Sequence, residues 1–187
     1  ATPLKSYHQH SSLKKVESVI EFLRDHKDIA LVSDAGTPGI NDPGGFLIQR
    51  ILQALPETRI VPIPGPNAAI AALSISGMPA DEFTYLGFPP QKKGREKFFK
   101  QLVDIPHAVV FYESKYRIEK TLEQVQRALD ARSQQRSAVV ARELTKQFET
   151  IYRGTVEHVL TQLRRDKVLG EFVIVLSPPL KVRAHEE

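Results

Sequence analysis

The stretch Ser33-Asp34-Ala35-Gly36-Thr37-Pro38-Gly39-Ile40-Asn41-Asp42-Pro43-Gly44-Gly45 decides how the rest of the chain is read. It follows a short apolar run, Ile29 to Ser33, whose pattern suits a buried parallel strand. It leads into a helix that Asp42-Pro43 would open, by a cap and a first-turn proline, and that runs to about Leu55. In open α/β sheets ligands bind beyond the carboxyl ends of the strands, so this loop lies where a small molecule would be held. Gly36 and Gly39 let the backbone approach a ligand closely, and Asp34 can accept hydrogen bonds from an amine or a hydroxyl. A glycine-rich turn whose aspartate only caps the next helix would read the same way. Neither phosphate-binding fingerprint, G-x-G-x-x-G or G-x-x-x-x-G-K-S, is present to decide between them.

Upstream, Leu13, Val16, Val19, Ile20 and Leu23 recur at helical spacing behind Ser11 and Ser12, which can cap the start. Downstream, Arg59 to Pro62 reads as another short strand, and Pro66 opens a helix rich in Ala and Ile that reaches Gly77. The loop between them, Pro62-Ile63-Pro64-Gly65-Pro66-Asn67-Ala68-Ala69-Ile70, is stiffened by three prolines. Its small residues suit either a flat ligand lying on the backbone or close packing of helix on sheet. Helix, strand, helix, strand, helix is the order of a right-handed α/β unit with mostly parallel strands. The pattern resets around Met78 to Asp81, so Pro79 marks the expected junction between lobes 1–78 and 79–187.

The second lobe offers strands at Phe83–Gly87, Ala108–Tyr112, Ala138–Arg142, Glu149–Arg153 and Glu171–Leu176. Helices at about Arg95–Val103, Tyr116–Leu129 and Thr155–Arg165 separate most of them. Only a few residues join the third strand to the fourth, too few for a parallel crossover, so that pair is expected to be antiparallel and the sheet mixed.

The 187 residues, 41% hydrophobic and 26% charged, are of ordinary globular composition. No apolar run approaches the roughly 20 residues of a membrane span, and the first residues show no signal-peptide pattern. With no cysteine there is no disulfide, thiolate metal site or cysteine nucleophile, and a cytoplasmic protein is expected. His8-Gln9-His10 is the only close histidine pair, and with no third ligand near it no metal site is expected. Lys92, Lys93, Arg95, Lys97 and Lys100 face one acid, Glu96, in the stretch Gln91 to Lys100. Such a basic loop suits RNA phosphates, or it is a solvated helix face with Phe98 or Phe99 packed inward.

Five motifs then stand in register: Ser33-Asp34-Ala35-Gly36-Thr37-Pro38; Pro64-Gly65-Pro66 with its alanine-rich helix; Phe111-Tyr112-Glu113-Ser114; Ala141-Arg142-Glu143-Leu144-Thr145-Lys146; and Gly170-Glu171. In order and approximate spacing the chain resembles the ribosomal RNA small subunit methyltransferase I family, which is similar in fold to the tetrapyrrole methylases. The resemblance runs from Ser6-Tyr7-His8 to the last strand. It implies a two-lobed α/β fold with a mostly parallel first sheet and a mixed second sheet, S-adenosylmethionine in the cleft between the lobes, and a homodimer. It implies methyl transfer to a ribose 2′-hydroxyl, that of a cytidine, in bacterial small-subunit ribosomal RNA. Asp34, Gly36, Thr37, Ala69 and Ile70 would contact the cofactor from the first lobe, and Tyr112 and Arg142 from the second. The chain departs from the family at Asn41, Gly44-Gly45, Asn67 and Lys115-Tyr116-Arg117. The resemblance also implies an opening strand and a Thr-Pro-Ile-Gly-Asn-type loop ahead of the first residue, Ala1.

Methyl transfer from a sulfonium needs no metal, only an in-line nucleophile held close with water kept out. A protonated ribose hydroxyl is a poor nucleophile, so a base or a charge-stabilising group is expected, with Glu113, Glu143 and Lys146 as candidates. Lys92, Lys93 and Arg95 are the candidate RNA contacts. Two other readings stay open. One is a tetrapyrrole-methylase-fold enzyme acting on a corrin precursor or in the diphthamide pathway, although those enzymes usually carry Gly-Asp-Pro at Ser33-Asp34-Ala35. The other is a non-catalytic RNA-binding relative.

Overall fold

The computed structural model describes residues 3–8, 13–25 and 27–180. Ser11, Ser12, His10, His26 and His185 lie outside them. The chain divides into two compact units, residues 1–67 and 68–187.

In the first unit, α1 (Leu13–Arg24) and α2 (Gly44–Ala54) carry the apolar faces expected of amphipathic helices. Val16 and Ile20 of α1 meet Leu47 and Ile51 of α2, with Tyr7, Val19, Leu23, Leu31 and Leu55 half-buried around them. At about 1.5–3 kcal/mol for each fully buried aliphatic side chain, four such residues make only a small core. The mostly parallel first sheet expected here does not form among the described residues. Residues 27–33 and 59–67 carry no strand ladder, and Val32 and Ile63 are each 77% exposed. An apolar run becomes a strand only by pairing its backbone with a neighbour, and neither run has one. Helix α2 starts one residue later than its proline suggests. Pro43 stands at the cap position, and the Asp42 Oδ1 accepts from the Gly44 N–H at 2.9 Å.

The second unit holds a five-stranded sheet in the order β1 (Phe83–Tyr85), β2 (Ala108–Ser114), β5 (Glu171–Leu176), β3 (Ser137–Arg142) and β4 (Thr150–Thr155). β1 and β2 are parallel and every other pair is antiparallel, including β3 with β4 as the short connection requires. All five strands lie within a residue or two of the apolar runs that announced them.

Alternation along the strands sends side chains to two faces. Val109, Phe111, Val140, Phe172, Ile174 and Leu176 point toward α4 (Arg95–Leu102), α5 (Ile118–Asp130) and α6 (Val156–Leu163). Ala108, Val110, Val139, Ala141, Val173 and Val175 pack against Ala69, Ala72 and Leu73 of α3 (Ala68–Ser74). Alanines on both sides of that contact explain why a seven-residue helix seats on the sheet. They also explain why the contact division falls at Asn67–Ala68 rather than at Pro79, since α3 shares its core with the strands.

Arg136, just before β3, is 2% exposed and donates to the carbonyl oxygens of Val103, Ser177, Ile105 and His107. Burial pushes its pKa down, and Asp104 partly offsets that. It closes the ends of a helix and two strands with one planar fork of donors.

Candidate functional site

In the first unit the two loops singled out by sequence are fastened together. The Thr37 N–H donates to the Pro66 carbonyl at 3.0 Å, and the Thr37 hydroxyl reaches the same oxygen at 3.2 Å. Gly36 sits there at φ +74°, and a Cβ would stand 3.4 Å from the Pro66 oxygen. The contact alone would be tolerated, but the positive φ would strain any side chain, so glycine suits the position. The Ser33 hydroxyl bonds back to the carbonyls of Ala35 and Gly36 at 3.2 and 2.9 Å, which curls the loop on itself.

This geometry separates the two readings of the loop. Asp42, not Asp34, binds the backbone at the start of α2. Asp34 is exposed, and among the described residues its carboxylate has no hydrogen-bond or ionic partner. A carboxylate at the rim of a tightly bonded loop, with no structural task, is available to a ligand's amine or hydroxyls.

In the second unit, Tyr112 at the end of β2 accepts from the Ala69 N–H at 3.2 Å and so ties the sheet to the first turn of α3. The rings of Tyr85 and Phe88 each lie 5.4 Å from that of Tyr112. The Tyr85 hydroxyl is buried beside Tyr112, and desolvation first, then that neighbouring phenol, drives its pKa up. Sequence reasoning missed Tyr85, which looks like any strand aromatic. Ala69 is buried, whereas the Ile70 side chain beside it is half exposed.

Arg142, expected at the cofactor, donates to the Lys167 carbonyl at 2.9 Å and the Phe148 carbonyl at 3.4 Å, and its Nε is buried without a partner. Next to it, Glu143 adopts φ +49° and takes part in a three-residue charge cluster. Lys146 Nζ lies 3.1 Å from Glu143 and 3.1 Å from Glu171, and the Glu171 N–H donates to Glu143 at 2.9 Å. That N–H, with Lys146, holds the Glu143 carboxyl below its ordinary range, while the two carboxylates push Lys146 above its own. Neither group is therefore a ready base near neutral pH. Glu171 was not among the expected site residues, although its position directly after Gly170 is where a strand start can present a carboxylate.

Glu113 is placed differently from a catalytic base. Its side chain is fully buried, bonded to Arg117 at 2.9 Å, Thr121 at 2.7 Å, the Ser114 N–H at 2.8 Å and Arg95 at 3.4 Å. Every lone pair is engaged, and a substrate hydroxyl has no route to it. Arg95 likewise is not a phosphate contact. It is 6% exposed and divides its donors among Glu113, Thr121 (2.5 Å), Gln124 (2.8 Å) and the Pro90 carbonyl (3.0 Å). Thr121 and Gln124, three apart on the inner side of α5, were the overlooked sign that a charged group is buried against them. Lys92 and Lys93 remain exposed ahead of Gly94, which caps α4 at φ +84°. Among the described residues no three of His, Asp and Glu are grouped to hold a metal ion, and no helix is long and apolar enough to cross a membrane.

Comparison with known proteins now defines the class. The family model for Tetrapyrrole (Corrin/Porphyrin) Methylases matches residues 2–160. Among solved structures, the methyltransferase CobJ superposes with a TM-score of 0.63 at 22% identity, over 91% of this chain and 72% of that one. Uroporphyrin-III C-methyltransferase of Thermus thermophilus, solved with S-adenyl homocysteine, gives 0.55 at 15%, over 88% and 74%.

More specific are the proteins called ribosomal RNA small subunit methyltransferase I. That of Escherichia coli O157:H7 is 42% identical over 93% of this chain and 60% of its own length. The Bacillus subtilis protein is 37% identical over 100% and 62%, and the Thermotoga maritima protein 35% over 94% and 76%. The chain belongs to the tetrapyrrole methylase family, in its ribosomal RNA small subunit methyltransferase I group. It spans about 60% of the length of the first two of these relatives.

Proposed function

We propose that the protein transfers a methyl group from S-adenosylmethionine to a ribose 2′-hydroxyl, that of a cytidine, in small-subunit ribosomal RNA in the cytoplasm. The observation that carries the reading is the Asp34 carboxylate, left without a structural partner because Asp42 makes the bonds at the start of α2. The names of the relatives support the RNA substrate, and the cofactor follows from the methyltransferase family.

The residues present fit such a cofactor. Asp34 would accept hydrogen bonds from its amine or ribose hydroxyls, and the Gly36–Thr37 backbone is slim enough for close approach. On the second unit, Ala69, Ile70 and Tyr112 offer a small, rigid, apolar corner, whereas Arg142, next to Ala141 on β3, turns to the opposite face of the sheet. S-adenosylmethionine, when bound, supplies an electrophilic methyl group on a sulfonium. Lys146, held by Glu143 and Glu171, would offset negative charge developing on the ribose oxygen. Lys92 and Lys93 would contact RNA phosphates, and a homodimer belongs to the same reading.

Asp34→Ala should weaken S-adenosylmethionine binding by about 1–3 kcal/mol, the worth of an unmade hydrogen bond to a charged group. Calorimetry on the full-length protein measures this directly, and unchanged affinity would remove Asp34 from the site. Mass mapping of ribosomal RNA with and without the gene tests the reaction. A missing methyl group that appears on a tetrapyrrole instead would move the enzyme to another branch of its family.

A further inference from the structure

The first unit carries a basic pocket that the proposed reaction does not use. A surface cavity of about 360 Å³ is lined by Lys5, Ser6, Tyr7, Lys14, Lys15 and Ser18. Lys5 Nζ bonds to the Ser18 hydroxyl at 2.7 Å and lies 3.9 Å from the centre of the Phe22 ring. Lys15 Nζ bonds to the Ser6 carbonyl and hydroxyl at 3.2 and 3.3 Å. Among the described residues none of these three ammonium groups is paired with a carboxylate, and the nearby Glu17 is engaged by Arg24 at 3.2 Å.

Three like charges around one concavity repel one another. A pair about 4 Å apart costs about 1 kcal/mol even in water. The first turn of α1 also contains no acid, only Lys14 and Lys15, which is the reverse of what the helix dipole favours there. An anion seated among them would relieve both. The three lysines present compact point charges, and the serine and tyrosine hydroxyls add donors without charge. That combination suits tetrahedral phosphate oxygens better than planar carboxylates, for which bidentate arginine is the usual partner.

We infer that the Lys5–Lys14–Lys15 pocket binds a backbone phosphate of the RNA substrate, so that the first unit grips RNA through a surface of its own. The inference rests on the proposed RNA methylation and names a contact for it separate from Lys92 and Lys93.

The test is RNA affinity against salt concentration, by fluorescence anisotropy with a short single-stranded RNA, in the full-length protein. Replacing all three lysines with Gln should flatten the slope of log K against log salt by about 0.7, the worth of one lost phosphate contact in a single strand, and weaken binding severalfold. S-adenosylmethionine affinity should stay as it was. K14Q alone removes the lysine that makes no bond to another described residue and should take away part of that change, which serves if the triple variant folds poorly. Replacement by Arg should keep the slope. An unaltered slope in K14Q and the triple variant, in a protein that binds and methylates RNA, overturns the pocket and leaves the reaction standing. A wild-type protein that neither binds nor methylates RNA overturns the reaction and the pocket together. Inorganic phosphate that binds the wild-type protein but not K14Q, with RNA affinity alike in both, would make the pocket a site for a free small anion and overturn the inference.

Discussion

At the scale of single residues, burial decides what a charge is for. Arg95 and Lys93 stand two apart in a run that reads as uniformly basic, yet one is buried in a bonded network and the other is in solvent. Composition cannot show that, because the acceptors Glu113, Thr121 and Gln124 lie 18 to 29 residues away. Arg136 is the sharper case, a buried guanidinium whose partners among the described residues are backbone and side-chain amide oxygens rather than a carboxylate. Arg136→Met would keep most of its volume and strand those carbonyls. It should cost about 3 kcal/mol of stability, as leaving buried polar groups unpaired does, read as a lower urea midpoint. A midpoint unchanged from wild type would mean that water replaces the guanidinium. By contrast, Asp34 was legible from its loop only as a candidate, with a capping role as the alternative. What the sequence left open, whether it caps the helix, was settled by one bond from Gly44 to Asp42.

At the scale of elements, the second unit was legible because its signals are local. Short apolar runs mark β2, β3 and β5, and strong amphipathic spacing marks α5. The first unit's two runs, Ile29–Ser33 and Arg59–Pro62, carry the same signal, but a strand depends on its neighbours and these have none among the described residues. The join between β3 and β5 shows a second non-local effect. Gly170, at φ +90°, lies against the Glu143 side chain with no room for a Cβ, which brings Glu171 and Lys146 to one carboxylate. Glu143 titrates below the ordinary carboxylate range, so its share of stability is complete above that range and is lost as pH falls through the lower folded value. Lys146 titrates above 10.5, so its share is complete below that pH and is lost as pH rises through the higher folded value. The deficit caused by Lys146→Met should therefore be level between about pH 6 and about pH 9 and shrink in acid. At half exposure it should not exceed about 1 kcal/mol. Denaturation midpoints of the two proteins across that range check it, and a deficit that grew in acid would rule out the ion pair as its source.

At the scale of the whole molecule, a formal net charge of +4 conceals where the cations act. Some are buried as braces, some are paired at the surface, and Lys5, Lys14 and Lys15 of the first unit share one cavity with no acid among its described lining residues. The sheet of the second unit conceals something too. Its middle strand, β5, follows the other four in sequence, and among the described residues it alone joins the β1–β2 pair to the β3–β4 pair. On the ribosome, two half-sheets must wait with exposed hydrogen-bonding edges until residues 171–176 have been made, a state open to wrong pairing. Nascent chains halted at Gly170 should be cut readily by protease and held by chaperones, and chains released past Pro179 should not. Equal protection of both would mean that the earlier strands close on each other without β5. If the expected difference is found, the protein's yield in the cell is set by how quickly β5 follows the other four strands out of the tunnel.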